Sequence, residues 1–339
     1  MDRADYWNTL RDQPQSLAGT TTAVKQALAG AALPPWRAGE VLAVFAMGAS
    51  TWAAEFLVHE ARRRDRVVLN WPAADWRGLS FSPAALAIGI SESGRSPETI
   101  EALARCAGHR IVITNVAGSP VVAVADTVVP LGSVSDAGVY VSGYTSTLVA
   151  LALVGESLGL AGLADELESA PRRVGEWVPS VMAAVDGLLS RHYATTSPGS
   201  VECVGAGSSF ASAGETALLV REAGRLPSAC FQTDQYLHGP AEALPGASCC
   251  VVFGGGRAVE LVQVMVGDGV PVLHISTAPV PGSIGITLPV ASPLVTSILE
   301  VIVGQVLAGR LGDRRGHEIG TFHHSFAGTK LPTNPSAEG

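Results

Sequence analysis

Residues 85–103 read ALAIGISESGRSPETIEAL, a stretch that joins a short apolar run to a serine-rich loop and then to an amphipathic segment. The apolar run predicts a buried β-strand, and the amphipathic segment predicts an α-helix. A second apolar run, RIVITN, follows at 110–115. Strand, loop, helix and strand in this order form the unit from which parallel α/β sheets are built.

The same alternation continues in both directions from this stretch. In the first half it predicts strands at 41–48, 66–71, 85–91, 110–115 and 126–132, with helices near 50–64, 96–107 and 144–159. In the second half it predicts strands at 201–207, 228–233, 248–255, 271–277 and 285–290, with helices near 172–191, 209–224, 256–267 and 293–309. Because the two halves share length and rhythm, we predict a duplicated α/β domain.

A chain of 339 residues is long enough for two domains of common size. The pattern divides it into an N-terminal lead at 1–37, a first domain at 38–160, linking helices at 161–197, a second domain at 198–310 and a C-terminal tail at 311–339. The tail has many turn residues and no strong period, so we expect it to be irregular.

Composition narrows the class of protein. With 47% hydrophobic and 15% charged residues the chain is typical of a globular protein, and no uninterrupted apolar run reaches the ~18 residues that a membrane span requires. A formal charge of -8 argues against non-specific nucleic-acid binding. The polar N-terminus lacks the apolar core of a secretory signal. We therefore expect a cytoplasmic protein with no nucleic-acid or membrane partner.

The cysteines and histidines suggest neither a disulfide framework nor a metal centre. The five cysteines are odd in number and lack CxxC spacing, as expected of thiols in a reducing compartment. His317, His323 and His324 lie close in sequence, but no carboxylate cluster or HExxH spacing accompanies them. We predict no metal and no cofactor.

The serine-rich loop is a candidate anion site. Ligands of parallel sheets collect at the carboxyl ends of the strands, where the next helix points its free backbone N–H groups outward. The loop presents the hydroxyls of Ser91, Ser93 and Ser96, with Glu92 between them and Thr99 in the first helical turn. The alternative is that Ser96 serves only as the N-cap of the helix.

A second loop of this kind, MGAST at 47–51, ends the first predicted strand and contributes Gly48, Ala49 and Ser50. Hydroxyl donors suit a phosphate-like ligand, and glycine permits the backbone to approach it closely. Two such loops that converge would form one anion pocket.

The string SESGRSPETIEAL resembles the serine-rich signature of the sugar isomerase (SIS) domain family, whose members bind phosphosugars with it. Residues 205–240, GAGSSFASAGETALLVREAGRLPSACFQTDQYLHGP, resemble the glycine-rich turn, glutamate-bearing helix and HGP loop of the isomerase half of glucosamine-6-phosphate synthase. SIS-type amino-sugar-phosphate deaminases and fructosamine deglycases are similar in the same places. The resemblance implies two tandem flavodoxin-like domains of three layers, each with a parallel five-stranded sheet, and a sugar (phosphate) substrate.

The resemblance also assigns roles to three further residues. Glu222, seven residues after Glu215, matches the base that moves a proton between C1 and C2 of the open-chain sugar. His238 matches the histidine that opens the sugar ring, and Lys330 matches the tail lysine that forms a Schiff base with the substrate ketone. In relatives the histidine loop enters the neighbouring subunit's site, which implies a homodimer with shared active sites.

The implied activity is aldose–ketose isomerisation coupled to amine exchange or release, without a glutaminase domain. The alternative is a non-catalytic sugar-phosphate sensor. Two positions depart from the pattern of the synthase. Leu219 stands where the synthase has a lysine, which puts amine handling by that lysine in doubt. Glu92 would repel a phosphate dianion unless Arg95 or a helix end compensates, which leaves open a substrate with less charge than a typical phosphosugar.

Overall fold

The computed structural model describes residues 5–76, 85–244, 248–324 and 326–332. The chain forms two compact units, each with one sheet. The N-terminal sheet unit comprises Gln15–Ser135, Ser142–Asp165 and Phe322–Gly339. The C-terminal sheet unit comprises Met1–Pro14, Asp136–Val141 and Glu166–Thr321.

Strands and helices alternate along both units. The strands are β1 (Val41–Ala46), β2 (Val67–Pro72), β3 (Leu86–Ile90), β4 (His109–Thr114), β5 (Thr127–Pro130), β6 (Val201–Gly205), β7 (Ser228–Gln232), β8 (Cys249–Phe253), β9 (Val272–Ser276) and β10 (Ile284–Thr287). The α-helices are α1 (Tyr6–Arg11), α2 (Gln13–Ala29), α3 (Ala49–Arg62), α4 (Pro97–Ala104), α5 (Ser142–Ser157), α6 (Ala170–His192), α7 (Ser209–Glu222), α8 (Thr233–Leu237), α9 (Arg257–Gly267) and α10 (Pro293–Arg314).

Both sheets are parallel and share one topology. The N-terminal sheet has the strand order β2-β1-β3-β4-β5, and the C-terminal sheet has the order β7-β6-β8-β9-β10. In the register of the first sheet Leu42 pairs with Leu86, and Ile88 pairs with Ile111. This is the flavodoxin-like order, in which the strand sequence reverses between the first and third strands. The predicted fold class is confirmed.

The ten predicted strands are all present, each with bounds within three residues of the prediction. The largest difference among the predicted helices is at α10, which continues to Arg314 instead of ending at 309. Leu311 and Gly312 in this extension are buried. A Cβ at Gly312 would lie 2.7 Å from the carbonyl oxygen of Ala223. The extension therefore packs closely against the end of α7, and this contact stabilises the extra turn.

By length and composition α10 could span a membrane, since its most apolar 18-residue window has a mean hydropathy of 1.6. In the folded unit 89% of that window is buried, and the helix packs against α6 and α7. A Cβ at Gly304 would lie 2.1 Å from the hydroxyl oxygen of Thr216, so α10 and α7 approach closely there. The apolar surface of α10 therefore belongs to the protein core.

Two helices in the N-terminal lead were not predicted. Asp5 caps α1 by accepting a hydrogen bond from the backbone N–H of Asn8. Leu10, Leu17 and Val24 are buried, at a spacing of seven residues. A stripe this narrow, in a segment rich in threonine and glutamine, produces little helical periodicity in the sequence. Tertiary contacts decide these helices.

Candidate active site

The two loops predicted to bind an anion leave the N-terminal sheet side by side. β1 and β3 are neighbouring parallel strands, and Phe45 near the end of β1 pairs with Gly89 near the end of β3. Both loops therefore begin at the same carboxyl edge. They also flank the point where the strand order reverses, which is the usual ligand position in open parallel sheets.

The serine-rich loop turns back on itself at Gly94. The Gly94 N–H donates to the carbonyl of Ser91 at 2.9 Å, and the Ser91 hydroxyl lies 3.3 Å from that of Ser96. Ser96 occupies the N-cap of α4, but within the described part of the chain its side chain makes no capping hydrogen bond. The interpretation of Ser96 as only an N-cap therefore lacks its defining contact.

Gly94 is required by the packing of the loop. Its φ is +64°, and a Cβ there would lie 1.8 Å from the Ser119 hydroxyl oxygen and 3.1 Å from that of Thr114. The sequence suggested that this glycine lets the backbone approach a ligand. The structure shows a different reason, since the space beside Gly94 is filled by side chains of its own unit.

The side chain of Glu92 is attached to the end of β4. The amide nitrogen of Asn115 donates to Glu92 Oε1 at 2.8 Å and to the carbonyl of Val134 at 2.6 Å. The backbone N–H of Asn115 also donates to the Glu92 carbonyl at 2.9 Å. These contacts hold the loop against β4 and give the Glu92 carboxylate a structural partner.

The remaining loop candidates differ in accessibility. Gly48 precedes α3 with a φ of +58° and, like its neighbour Ala49, offers only backbone groups. Ser50 is partly exposed. Thr99 is fully buried behind β3, where its methyl group lies near Gly89. Ser50 is therefore the member of this group best placed to donate a hydroxyl hydrogen bond.

The C-terminal tail is docked on the serine-rich loop. The backbone N–H of Leu331 donates to the Arg95 carbonyl at 2.8 Å, and Arg95 Nε donates in return to the Leu331 carbonyl. The preceding residue, Lys330, is exposed. These two reciprocal hydrogen bonds bring Lys330 to the loop that carries Ser93 and Ser96.

Glu222 is the last residue of α7, in the C-terminal sheet unit. Glu215 lies two turns earlier on this helix and is fully buried. A separation of seven residues places both on one side of α7. The structure therefore pairs a partly exposed acid at the helix end with a buried acid behind it.

Glu215 is a buried acid whose carboxylate oxygens both lack a hydrogen-bond partner among the described residues. Burial, followed by the negative charges of Glu222 and Asp136, raises the pKa of Glu215 well above its ordinary value. Leu219, one turn further along α7, is also fully buried and supplies no compensating charge. Burial therefore favours the protonated, neutral form of Glu215. Sequence analysis assigned Glu215 no role. The available signal was Leu219, which replaces the lysine of the synthase and so supplies no positive charge one turn from Glu215 on α7.

A second buried acid, Glu300 of α10, contacts the first turns of α7, which follows β6. Its carboxylate accepts hydrogen bonds from the hydroxyls of Ser209 at 2.7 Å and Ser212 at 2.8 Å. Burial raises the pKa of Glu300 to about 7, although both hydrogen bonds act in the opposite direction. These two serines thus contact an acid of their own unit.

Glu300→Gln is expected to become more stable relative to the wild type as pH rises from about 4.5 to 7. The folded protein keeps the Glu300 proton in this range, whereas the unfolded chain loses it, so the wild type loses stability. Each pKa unit corresponds to about 1.4 kcal/mol, so we expect a gain of about 2–3 kcal/mol at pH 7.5. Urea unfolding at several pH values measures it.

Glu176→Gln is the matched control, since Glu176 is exposed and forms a surface ion pair with Arg172. The stability of this variant should differ from that of the wild type by no more than the ~1 kcal/mol that an exposed ion pair contributes. A Glu300→Gln difference that stays constant with pH would contradict the raised pKa of Glu300.

His238 lies on the surface at the end of the short helix α8. Its backbone N–H donates to the Gln235 carbonyl at 3.1 Å, and the side chain of Gln232 caps the start of the helix. Gly239 follows with a φ of +134°, a conformation that favours glycine. The HGP segment is thus a helix end whose histidine is exposed on its own unit.

The corresponding loop of the C-terminal sheet lacks hydroxyl groups. β8 occupies the position of β3 in its sheet, and it is followed by Gly254, Gly255 and Gly256 before α9 begins. Gly256 has a φ of +60° at the N-cap. Hydroxyl donors therefore follow the third strand only in the N-terminal sheet unit.

Solved structures of metabolic enzymes share this architecture. The C-terminal domain of glucosamine-fructose-6-phosphate aminotransferase from Francisella tularensis superposes with a TM-score of 0.77 at 16% identity, over 94% of this chain and 98% of that chain. Tagatose-6-phosphate ketose/aldose isomerase from Escherichia coli superposes with a TM-score of 0.76 at 16% identity, over 98% of this chain and 96% of that chain. Glucosamine-6-phosphate deaminase from Thermotoga maritima superposes with a TM-score of 0.75 at 16% identity, over 93% of this chain and 96% of that chain.

The chain has the tandem SIS fold. The similarity extends over nearly the whole of each compared chain, so it includes both sheets of the SIS pair. No protein-family model matches the sequence, and no curated protein matches it either. The SIS architecture is therefore preserved here at a sequence identity of 16%.

Proposed function

We propose that this SIS protein is an isomerase-type enzyme that acts on an open-chain hexose phosphate or amino-hexose phosphate. The observation that carries the proposal is the pair of hydrogen bonds between Arg95 and Leu331. This contact fixes the backbone next to Lys330 on the serine-rich loop, which supports a role for its amine near a phosphate bound by that loop. The names of the similar solved structures refer to phosphorylated sugars of the same class.

The phosphate would bind at the carboxyl edge of the N-terminal sheet. Ser50, Ser93 and Ser96 would provide hydroxyl donors, and the buried Ser91 would support them through its hydrogen bond to the Ser96 hydroxyl. The N-terminus of α4 adds the positive end of its dipole. The absence of a side-chain cap at Ser96 supports this role.

Glu222 would transfer the proton between C1 and C2. A carboxylate can accept and return the same proton across a planar enediol or enamine. The buried Glu215 supports this assignment, because burial, followed by the negative charge of Glu222, raises the pKa of Glu215, so that Glu222 is the acid of the two that ionises more readily. His238 would open the sugar ring before this step.

Lys330 would form an imine with the substrate ketone, as needed for exchange or release of nitrogen at C2. With fructose 6-phosphate as substrate, borohydride is expected to trap a covalent adduct on Lys330, which mass spectrometry of the digested protein locates. Lys330→Arg should eliminate the adduct because a guanidinium stays protonated.

The chain offers a matched control, since Lys25 is its only other lysine and is exposed on α2. Lys25→Arg should leave the adduct intact. Labelling of both lysines to the same extent would show non-specific modification. Absence of an adduct, with normal turnover by Lys330→Arg, would refute the imine and favour a simple aldose–ketose isomerase in which the tail acts as a lid.

We further propose a cytoplasmic homodimer in which His238 completes the site of its partner. The exposure of His238 and the presence of five free thiols support these assignments. Co-expression of Glu222→Gln with His238→Ala should restore about a quarter of wild-type activity, because half of a random mixture is heterodimer with one intact site. No restoration, with heterodimers isolated, would contradict shared sites.

A further inference from the structure

A cavity of about 780 Å³ lies in the C-terminal sheet unit, and the candidate active-site residues are not part of its lining. It is formed by residues 194–199, 225–227 and 314–315. The first segment leads into β6, the second leads into β7, and the third ends α10. The cavity therefore opens at the amino edge of the sheet, whereas ligands of the proposed kind bind at carboxyl edges.

The lining is strongly basic. Arg225, Arg314 and Arg315 contribute guanidinium groups, and none of the described residues that line the cavity carries a carboxylate. Arg314 donates to the carbonyls of Tyr193 at 2.5 Å and Thr196 at 3.3 Å. Across the described ranges neither Arg314 nor Arg315 forms an ion pair. Their charges are held in place by neutral groups and are not compensated.

His317 lies between two of these arginines. Arg315 Nε is 3.4 Å from His317 Nε2, and Arg225 Nη1 is 3.4 Å from His317 Nδ1. A neutral imidazole has a single acceptor nitrogen, so it can accept from only one of the two guanidinium groups. Two guanidinium groups thus lie on either side of one imidazole ring, and their positive charges would attract an anion and repel a metal cation.

Other donors complete the cavity. Thr195, Thr196 and Ser197 add hydroxyl groups, and the buried Leu226 supplies an apolar floor. Arg225 has a φ of +51° and donates to the Thr321 carbonyl at 2.7 Å. A non-glycine residue in this conformation is strained, and such strain is frequent at ligand sites.

The geometry points to an anion-binding site in this cavity for a small molecule that carries a phosphate or diphosphate group. Guanidinium forks and hydroxyls match the acceptor oxygens of phosphate, and guanidinium groups can bind them in pairs. The volume lies within the range of about 300–1,000 Å³ that small-molecule sites occupy. The inference does not depend on the proposed isomerase activity.

Calorimetric titration with pyrophosphate at about 0.15 M salt tests this site. The titration is done in a Ser93→Ala/Ser96→Ala background, which weakens phosphate binding at the serine-rich loop. One pyrophosphate per chain should still bind in the cavity. Adding Arg314→Gln and Arg315→Gln should raise the Kd by about 10-fold or more, because charge-assisted hydrogen bonds are lost.

The matched control is Arg62→Gln/Arg63→Gln, which removes two adjacent exposed arginines at the end of α3 and should change the Kd less than about twofold. Because Arg314 also holds the chain through carbonyl contacts, Thr195→Asp serves as a second variant that adds a negative charge to the lining. It should weaken binding by a similar factor. The proposed site would be overturned if the Ser93→Ala/Ser96→Ala protein no longer bound pyrophosphate. It would also be overturned if the control Arg62→Gln/Arg63→Gln weakened binding as much as Arg314→Gln/Arg315→Gln.

Discussion

Replacing Glu222 with glutamine is expected to slow proton exchange at C1 and C2 of the sugar by about 10²–10⁴-fold. Glutamine has nearly the same shape but cannot accept a proton, so kcat should fall while KM changes little. The rate is measured from deuterium incorporation from heavy water into fructose 6-phosphate, tagatose 6-phosphate and glucosamine 6-phosphate, by NMR.

The control is Glu260→Gln on α9, an exposed glutamate with an ion pair to Arg257. Its exchange rate should equal that of the wild type. Unchanged exchange in Glu222→Gln would exclude Glu222 as the base. If the same sugar phosphates raised the melting temperature of the wild type without any exchange, the protein would bind them as a sensor and not as an enzyme.

Glu222→Gln also removes one of the charges that raise the pKa of Glu215. We expect the variant to remain folded, because burial of Glu215 then becomes less unfavourable above neutral pH. A loss of activity in a folded Glu222→Gln protein would therefore support Glu222 as the base.

Gly94→Ala is expected to lower the free energy of unfolding by about 2–5 kcal/mol. Two costs combine at this position. The φ of +64° is unfavourable for any residue with a Cβ, and the new Cβ would overlap the side chain of Ser119. The measurement is urea unfolding of the purified variant.

Two other glycines separate these costs. Gly207 has a φ of +60°, and a Cβ at this position would meet no described atom within 4 Å, so Gly207→Ala should show the conformational cost alone, about 1–2 kcal/mol. Gly118 has neither constraint, so Gly118→Ala should be close to neutral. In a double-mutant cycle, Ser119→Gly should recover the steric part of the Gly94→Ala loss. Equal effects at Gly94 and Gly207 would contradict the clash.

Much of the fold could be predicted from the sequence because its signals are local. β3 has five consecutive buried residues, and the runs that form the other strands are similarly bounded by turn residues. A buried parallel strand needs an apolar run of this length in any context, so neighbouring residues suffice to predict it. The position of Ser91, Ser93 and Ser96 at a strand end follows from the same pattern.

The two N-terminal helices and the last turn of α10 could not be predicted from the local sequence pattern. α1 is held by contacts such as the hydrogen bond from the Tyr6 hydroxyl to the Gln305 carbonyl, between residues at opposite ends of the chain. The final turn of α10 depends on its fit against Ala223. Neither contact has a counterpart in local sequence periodicity.

By itself, then, the sequence determined the strands, their alternation with helices and the serine-rich loop, since each depends on the polarity of adjacent residues. Only the tertiary structure decided that the backbone beside Lys330 contacts that loop, through Arg95 and Leu331, and that burial raises the pKa of Glu215. The physical reason is that docking and ionisation depend on solvation and on charges from distant parts of the chain. Those surroundings exist only once the chain has folded.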